Sequence, residues 1–505
     1  MIRARALLGG AGAAAVACLA LPAGSGAATF EVTKRGDPAP GECTPADCSL
    51  REAVRAANER GGRDRIELPS RRGSYRLAQA GALENNALTG DLDSTGRLTV
   101  VHTSDGRAAI DAGGLDRLFE AFAKLKLVRL ALRGGSATSG GALRSDFDLI
   151  VRGSKLADNH ATIFGGAIGI AGGSADLDVV KSKLIRNSAD FDGGAIDFTG
   201  GQLEIVRSRV LDSETGGRGA LYLNADENSW VKRSRFSGNE SDDRGGAAFV
   251  NGSVLELYRA TISRNDSAGG GGGVAIGVGS LSAEETTFHR NRSQGDGGAV
   301  LLDAAGPTFA SVQIISSTLS ENEASGATAN GGGAAFLAGD YFRGYVSTFS
   351  GNHAADHGGG LFFAAPNGEL GSVTVARNTA GTDGAGIFET EPGSVIRNTL
   401  LALNRDSDTG ERRDCGGDDG DHGFDARGHN LLSHDAGCGF GEPGDVLAPQ
   451  PRIDDLAANG GRTKTVALRN GSPAIDAATR AFPNRGSDQR GVPRDRRPDI
   501  GAFER

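Results

Sequence analysis

The sequence predicts an all-β protein: a right-handed single-stranded parallel β-helix of about ten coils, with an N-terminal helical cap and an irregular C-terminal cap. Two markers recur in phase through its middle, an asparagine and a glycine pair, and the residues between them form short β-type runs such as 203–206 and 373–375. The chain has 80 glycines among 505 residues, without the every-third-residue period of collagen. Right-handedness follows from the strong bias of parallel crossovers.

Each repeat contains Ser or Thr, an apolar residue, two or three polar residues, Asn, a variable turn, Gly-Gly-Ala and another apolar residue. The asparagine marker occupies Asn159, Asn187, Asn239, Asn265, Asn291, Asn322, Asn352, Asn378 and Asn404, with Ser213 in the one vacant slot. The glycine marker occupies Gly166, Gly194, Gly219, Gly246, Gly273, Gly298, Gly333, Gly360 and Gly386. Most coils are 26 residues long, and the asparagine spacing rises to 31 and 30 residues before Asn322 and Asn352.

Other repeat architectures of similar period fit these markers less well. Leucine-rich repeats need a leucine framework and usually a helical segment in each unit, and neither is visible in this sequence. Calcium-binding β-rolls need a nine-residue period, which is absent.

The two markers have physical roles in a stack of coils. Coils lie about 4.8 Å apart, so each turn residue meets its equivalent in the next coil. A repeated Asn can hydrogen-bond along the stack and satisfy backbone groups that leave the ladder. Glycine at the other turn tolerates positive φ and lets successive backbones approach closely. We therefore expect residues 141–404 to place the asparagines on one line.

Both ends of such a rod expose strand edges that need a cover. Residues 50–58 are the best helix candidate, because Ser49 can cap the helix and Glu52 follows three residues later. Leu50, Val54 and Ala57 share the face that would seal the first coil.

The chain divides into four segments. These are a signal peptide at 1–27, an N-terminal cap with the first coils at 28–115, β-helix repeats at 116–410 and a C-terminal region at 411–505, where the 26-residue rhythm has stopped.

Residues 1–27 have the features of a secretory signal. Arg3 and Arg5 precede an apolar stretch that ends in small residues at 25–27. That stretch of about 16 residues is shorter than the ~20 that span a bilayer, and no later stretch is long and apolar enough. We expect a secreted or cell-envelope protein with no transmembrane span in the mature chain. Cys18 leaves lipoprotein processing open, although Ala15 is a poor residue for that signal.

The five cysteines agree with export. Once Cys18 leaves with the signal, two local pairs remain, Cys43 with Cys48 and Cys415 with Cys438. Local pairing closes the shortest loops, so we expect two disulfides. Zinc binding is the alternative, but the pairs are about 370 residues apart and lack adjoining histidines of normal spacing.

Charge bears on the class of partner. The formal net charge is −9. No basic stripe with interleaved aromatic residues is visible along the chain, so we expect no nucleic-acid partner.

Two terminal motifs resemble those of known families. The run Cys48-Ser49-Leu50-Arg51-Glu52-Ala53 spells the signature of the CSLREA domain. The C-terminal part resembles the choice-of-anchor Q domain in Gly428-His429-Asn430-Leu431, Cys438-Gly439-Phe440, Gly471-Ser472-Pro473-Ala474-Ile475-Asp476, Asp488-Gln489-Arg490-Gly491 and Asp499-Ile500-Gly501-Ala502-Phe503-Glu504. The resemblance implies an exported bacterial β-helix protein of pectin-lyase-like fold, commonly anchored to the envelope and without an assigned activity.

Acidic residues precede the glycine turn in several coils. They are Asp190, Asp192, Asp242, Asp243, Asp296, Asp356 and Asp383. One interpretation is calcium binding, or a carboxylate pair for acid and base catalysis on a polysaccharide, with Asp192, Asp296, Asp356 and Asp383 as the ligand-binding candidates. The other interpretation is turn polarity that keeps a sheet edge soluble. A lyase would also need a clustered Arg or Lys base, and no compact group of that kind is visible, so no catalytic residue is named.

Two further groups are interpreted as solvent-facing. His160, His353 and His357 are scattered and read as exposed turn residues. The carboxylates at 406–425, which include Asp418, Asp419 and Asp421, lack the order of an EF-hand.

The two longer coils carry extra residues near 303–310 and 323–331, which must project from the rod as loops. The following coil adds Tyr341, Phe342 and Tyr345, the densest aromatic group in the chain. Strand packing is the alternative role for these rings, favoured for Phe342. We predict that Phe309, Tyr341 and Tyr345 form the binding face.

Together these features favour a non-catalytic exported surface or extracellular protein that binds a polysaccharide or a surface protein. No cofactor is expected, with calcium as the ion it could hold. The alternatives are a polysaccharide lyase or glycoside hydrolase, and a passive envelope spacer. One Trp and five Tyr provide few faces for sugar stacking.

Overall fold

The computed structural model describes residues 26–69, 73–81, 84–303, 310–326, 330–365, 368–417, 424–434, 438–480 and 486–505. Most of the predicted signal peptide, with Cys18, lies outside these residues, as do Phe309, Asp418, Asp419 and Asp421. The described chain is an all-β, right-handed parallel β-helix of about 12 turns, which confirms the predicted fold class. The turns exceed the ten expected because the chain already winds into coils before the regular asparagine marker begins.

Each regular coil contributes strands to four faces of the rod. Face 1 follows the glycine turn and contains Leu92–Ser94, Phe119–Ala121, Leu143–Ser145, Ile168–Ile170, Ile196–Gly200, Leu221–Ala225, Val300–Asp303, Ala335–Ala338, Leu361–Phe363, Ile387–Glu389 and Cys415–Gly417. Face 2 contains Thr29–Glu31, Arg63–Leu68, Arg97–His102, Leu125–Val128, Leu149–Arg152, Leu177–Val180, Leu203–Val206, Ser229–Lys232, Ala310–Ile315, Tyr341–Tyr345, Gly368–Gly371, Val395–Arg397 and Asp425–Ala426. Two long strands, Ala248–Tyr258 and Val274–Glu284, run through both faces and join them into one 26-stranded sheet.

The remaining faces are separate parallel sheets. Face 3 has 15 strands, Ser74–Arg76, Ala108–Asp111, Leu130–Arg133, Lys155–Ala157, Lys183–Ile185, Arg209–Leu211, Arg235–Ser237, Thr261–Ser263, Thr287–His289, Thr318–Ser320, Thr348–Ser350, Thr374–Ala376, Leu400–Ala402, Leu431–Leu432 and Val446–Leu447. Face 4 has 11 short strands, Ser136–Ser139, His160–Phe164, Ser188–Ala189, Glu214–Thr215, Glu240–Ser241, Asp266–Ser267, Arg292–Ser293, Glu323–Ala324, His353–Ala354, Thr379–Ala380 and Arg405–Asp406. An antiparallel pair, Ile453–Ala457 with Thr465–Leu468, lies apart from the coils.

Three sharp corners connect the faces, and each contains a residue of positive φ. The glycine corner joins face 4 to face 1. One of its two glycines has positive φ, and the other allows close approach of the next coil. Gly245 has a φ of 75°. A Cβ on Gly246 would meet the Asp266 carbonyl oxygen at 2.4 Å, so that position needs glycine for close approach.

The asparagine corner joins face 3 to face 4 and holds the predicted ladder. The Nδ2 of Asn265 donates to Asn291 Oδ1 at 2.9 Å and to the Phe236 carbonyl at 3.3 Å. The Oδ1 of Asn265 accepts from both nitrogens of Asn239. Equivalent side-chain bonds of 2.8–3.0 Å link the other neighbouring asparagines. Ser213 interrupts the row, because its hydroxyl turns to the Leu211 carbonyl.

A second ladder runs along the serine corner, which joins face 2 to face 3. The hydroxyl of Ser208 accepts from the Ser182 N–H at 3.0 Å, and that of Ser234 accepts from the Ser208 N–H at 2.9 Å. Thr286 and Ser317 continue the pattern. These residues stand five positions before the asparagine position, one earlier than the Ser or Thr of the repeat, and their hydroxyls satisfy the amide that leaves the sheet at this corner.

The asparagine ladder ends on a buried carboxylate. Asp414 Oδ1 accepts from both nitrogens of Asn404, and Oδ2 accepts from Ser433 and the His434 N–H. The Asp414 carboxylate therefore accepts the hydrogen bonds that a further asparagine would have accepted. All of these neighbours are donors, and an anionic carboxylate is a strong acceptor for them. Burial raises the pKa of Asp414.

The N-terminal cap confirms the predicted helix. It spans Leu50–Arg60, with Ser49 and Glu52 forming a reciprocal capping box and Leu50, Val54 and Ala57 buried. The helix packs against Thr29–Glu31, Arg63–Leu68 and Leu92–Ser94. Among the described residues no helix is long and apolar enough to cross a membrane.

Both predicted disulfides are present. Cys43 is bonded to Cys48 beside the helix, and Cys415 to Cys438 at the far end of the rod. At that end the rings of Phe424 and Phe440 pack edge to face with centroids 6.3 Å apart. Cys415, Phe424 and Cys438 are buried in the core that runs the length of the coils, and Phe440 packs against it.

The last part of the C-terminal region does not cover the end of the rod, as a simple cap would. Instead it lies along face 3. The Lys464 carbonyl accepts from Thr318, the Gln489 amide accepts from Thr348 at 2.6 Å, and the Ala502 N–H donates to Thr374. A second apolar core forms there, from Ala376, Leu400, Ala402, Leu431, Ala448, Ile453, Val466, Leu468, Ala474, Ile500 and Phe503.

Replacing Asn265 with Ala is expected to destabilise the rod by about 1–3 kcal/mol, because it leaves buried donors and acceptors of two coils unpaired. Urea denaturation of the wild type and the variant measures the change. Asn228→Ala is the control, since Asn228 is exposed and makes one side-chain bond, to Glu256. Equal midpoints for the two variants would contradict the ladder's role.

Candidate functional site

Six cationic side chains stack beside the serine corner. Lys181, Arg207 and Arg233 occupy its left-handed position in three successive coils, and Lys183, Arg209 and Arg235 are paired residues at the start of face 3 in the same coils. We call these six residues the basic stripe. Its three rungs extend about 10 Å along the rod.

The charges of the basic stripe are not neutralised by neighbours. In the part of the chain that the structure describes, none of the six forms a salt bridge, and Arg235 donates only to the hydroxyls of Ser237 and Ser263. Adjacent cations do have partners, as Lys232 contacts Glu204 at 3.0 Å. Like charges a rung apart repel each other, so this arrangement destabilises the coils unless an anion binds.

The six residues of the basic stripe were not predicted from the sequence, because no basic stripe with interleaved aromatic residues is visible along the chain. The members of the stripe are 26 residues apart in the chain but one rung apart in the rod. The signal was present as a basic-Ser-basic triplet at 181–183, 207–209 and 233–235.

Two partly exposed aromatic rings flank the stripe on face 2. The Lys232 Nζ lies 4.6 Å from the centroid of the Trp230 ring. The guanidinium of Arg259 lies 4.7 Å from the centroid of the Tyr258 ring. Lys232 and Tyr258 are direct partners in the sheet, so the two rings lie on neighbouring rungs beside the stripe.

A second cluster lies at the glycine corner and on face 1. Arg218 forms a bidentate pair with Asp192, with Nε–Oδ1 and Nη2–Oδ2 distances of 3.1 and 2.8 Å. The guanidinium also lies over the rings of Tyr222 and Phe249, at 5.1 and 4.8 Å from their centroids. Asp197 is the sheet neighbour of Tyr222. We call these five residues the Arg218 cluster.

Asp197 is the titratable group of interest in the Arg218 cluster. Burial raises its pKa to about 7, and the charge of Asp192 adds to this, while Arg218 opposes it. A carboxyl that exchanges its proton near neutral pH, beside a carboxylate held by arginine, is the arrangement that general acid and base chemistry uses.

The predicted acidic residues do not form a continuous ridge. The position before the left-handed glycine holds Asp192, Arg218, Arg244, Gly270, Asp296, Gly331, His357 and Asp383 in successive coils. Three of the predicted carboxylates bond to the next coil: Asp192 accepts from Arg218, Asp296 from the Gly331 N–H at 2.9 Å, and Asp356 from the Thr382 hydroxyl at 2.7 Å. Asp383 accepts from the Gly384 N–H at 2.8 Å.

The predicted aromatic face is placed only in part, since Phe309 lies outside the described residues. Tyr345 is 5% exposed and packs against Ile315 and Val346, so it offers no open ring face. The hydroxyl of Tyr341 donates to Glu369 at 2.8 Å. Phe342 lies in the core.

A pair of exposed rings lies elsewhere on the described chain. Phe164 and Phe191 are 40% and 56% exposed on neighbouring coils, with centroids 6.4 Å apart. Phe191 directly precedes Asp192, so this pair borders the Arg218 cluster.

Comparison with known proteins finds one matching family model and a similar solved structure. A family model described as a right handed beta helix region matches residues 166–342, which include the basic stripe and the Arg218 cluster. Among solved structures the chain is similar to pectate lyase Pel9A, with 14% identity, a TM-score of 0.27, and coverage of 95% of this chain and 98% of that one. No curated protein matches the chain. The protein is thus a right-handed parallel β-helix protein.

Asp197→Asn is expected to raise the free energy of unfolding by about 1–3 kcal/mol at pH 8 and by little at pH 4. The pKa of Asp197 is about 7 in the folded protein against an ordinary 3.8. Between these values the folded state keeps a proton that the unfolded state has released, so wild-type stability falls as the pH rises through that window. Asn carries no such charge and escapes this loss.

Urea denaturation at pH 4, 6 and 8 measures the effect, with Asp226→Asn, an exposed loop variant, as the control. A difference between Asp197→Asn and the wild type that is constant with pH would contradict the raised pKa.

Proposed function

We propose that this is an exported β-helix protein that binds an acidic polysaccharide through the basic stripe. One observation carries the proposal: six cations without salt-bridge partners lie in register on three successive coils of a chain whose net charge is −9. A rigid row of positive charges complements an extended polyanion. Acidic sugars are recognised through their charges, so the small number of Trp and Tyr residues is no obstacle.

A polysaccharide suits this surface better than a nucleic acid does. The stripe extends about 10 Å, the length of a few sugar residues, whereas a nucleic acid presents a longer row of phosphates. At the neighbouring asparagine corner Asp158 and Asp212 alternate with Arg186, so the row of positive charge does not continue there. Trp230 and Tyr258 flank the stripe with ring faces of the kind on which sugars pack.

An exported protein would meet such a ligand. Two disulfides fit an oxidising environment. The resemblance of both termini to the CSLREA and choice-of-anchor Q domains supports secretion or attachment to the envelope.

The binding test compares polygalacturonate, heparin and neutral dextran by calorimetry at low and high salt. We expect the two acidic polymers to bind and dextran not to bind. Replacing Lys183, Arg209 and Arg235 with Gln should weaken binding at least about tenfold, which corresponds to 1.4 kcal/mol. Salt should weaken wild-type binding, because it screens exposed charges.

The matched control replaces Arg186, Arg264 and Arg290 with Gln. These three residues have positive φ at the asparagine corner, and replacing them removes the same charge as the first triple variant. They do not form a continuous column, because Asp212 and Gly238 lie between Arg186 and Arg264. Their loss should change affinity less than about twofold. Equal losses in both triple variants, or a preference for duplex DNA over the acidic glycans, would contradict the proposal.

A second candidate function is a polysaccharide lyase or glycoside hydrolase, favoured by the Arg218 cluster. Asp197 would exchange the proton, Asp192 and Arg218 would hold the local charge, and Phe164 with Phe191 would border the substrate.

Incubation with the acidic polymers, followed by measurement of reducing ends and of unsaturated products, tests this activity. Asp197→Asn should abolish any product formation while leaving calorimetric binding unchanged. Turnover that persists in that variant would remove Asp197 from the reaction. No turnover on any polymer that binds would favour the non-catalytic function.

A further inference from the structure

The first coils contain a carboxylate cluster that neither ladder explains. Asp91, Asp93 and Glu120 each place one carboxylate oxygen within 4.8 Å of the others. Asp93 and Glu120 are direct partners on neighbouring rungs of face 1. Asp91 is 5% exposed and Asp93 is fully buried, whereas Glu120 is partly exposed. We call these three residues the carboxylate cluster.

One carboxylate oxygen of Asp93 in this cluster has no partner. Its Oδ2 accepts from the Ala87 N–H at 2.8 Å. Its Oδ1 is buried and has no hydrogen-bond partner among the described residues. A buried carboxylate oxygen without a donor is rare in folded proteins, and a bound ion or water is one way to satisfy it.

The cations around the cluster leave negative charge in excess. Arg117 contacts Asp91 Oδ2 at 2.9 Å and Glu120 Oε2 at 3.1 Å, and Arg144 pairs with the other oxygen of Glu120. Two guanidinium groups thus face three carboxylates, and Asp116 and Glu84 add further negative charge nearby.

The loop that carries Asp91 is held rigidly by the cap helix. Arg51 is fully buried and forms a bidentate pair with Asp37, at 2.8 and 2.9 Å. Its remaining donors reach the carbonyl oxygens of residues 87, 89, 90 and 91, the closest being Gly90 at 2.7 Å. The cluster is therefore preorganised rather than assembled from mobile side chains.

We propose that Asp91, Asp93 and Glu120 bind a divalent cation of the calcium type, with Asp93 Oδ1 as its buried ligand. Oxygen-only ligands select hard cations, and the described cluster offers no His or Cys to favour zinc. Water completes the coordination on the exposed side of Glu120. Arg117 and Arg144 do not balance the charge of the three carboxylates, and the cation supplies the remaining positive charge. It also links two neighbouring rungs of face 1.

The test uses the full chain after removal of metal by a chelator and titrates it with calcium and then with magnesium. Calcium should bind with a Kd at or below about 10⁻³ M, the weak end for extracellular sites, and should raise the Tm. Asp93→Asn should weaken calcium binding at least about tenfold and remove the Tm shift. Asp148→Asn, which removes a carboxylate paired with Lys124 on face 2, should behave like the wild type.

Glu120→Gln provides a second variant if Asp93→Asn does not fold, because Glu120 is partly exposed. It too should weaken binding at least about tenfold. Absence of calorimetric heat and of a Tm shift in the wild type overturns the proposal, as does unchanged calcium binding in both cluster variants.

Discussion

The stacking of each coil on an equivalent coil about 4.8 Å away is the constraint on which the rest of this structure depends. Because every side chain meets its counterpart, a buried polar residue that recurs in successive coils can have its hydrogen bonds completed by that counterpart. Asn265 meets this condition through Asn239 and Asn291, and Ser208 meets it through Ser182 and Ser234. At the end of such a row no further asparagine is available, so a different residue must accept the hydrogen bonds of the last one. Asp414 is that residue, since it accepts donors from both sides and donates to neither.

The same constraint makes charge accumulate. A charge that recurs at one position of the repeat produces a column of like charges, and repulsion within that column grows with each added rung. Some columns avoid this by alternating signs, as where Arg186 pairs with Asp158 and Arg290 with Glu321. The basic stripe does not alternate over three coils, and neither do Glu214, Glu240 and Asp266 on face 4. The proposed anionic ligand would neutralise the column of the basic stripe.

The 26-residue period was enough to predict the fold and the asparagine row. The cap helix and the disulfides were predicted separately, from the capping residues around Ser49 and from the local pairing of the cysteines. The period could also have revealed the basic stripe, had charges been compared between coils rather than along the chain. Other features depend on contacts that no spacing encodes. Arg117 and Glu120 meet Asp91 only after the first coils stack. Tyr345 is buried by Ile315 and Val346, which a count of aromatic residues does not reveal. The packing of Gln489 against Thr348, 141 residues earlier, belongs to this group as well.

The N-terminal motif gains a physical meaning from this arrangement. Ser49 and Glu52 cap the helix, and Cys48 ties its start to Cys43. Arg51 takes part neither in the capping box nor in the disulfide. It donates to the backbone around Asp91 and holds that segment in place. The need for such a support is greatest there, because the asparagine row begins only at Asn159, and the earlier coils lack its side-chain bonds among the residues described. A charge cluster fastened by the cap helix supplies, in the first coils, the cross-rung bonding that asparagine supplies in the later ones.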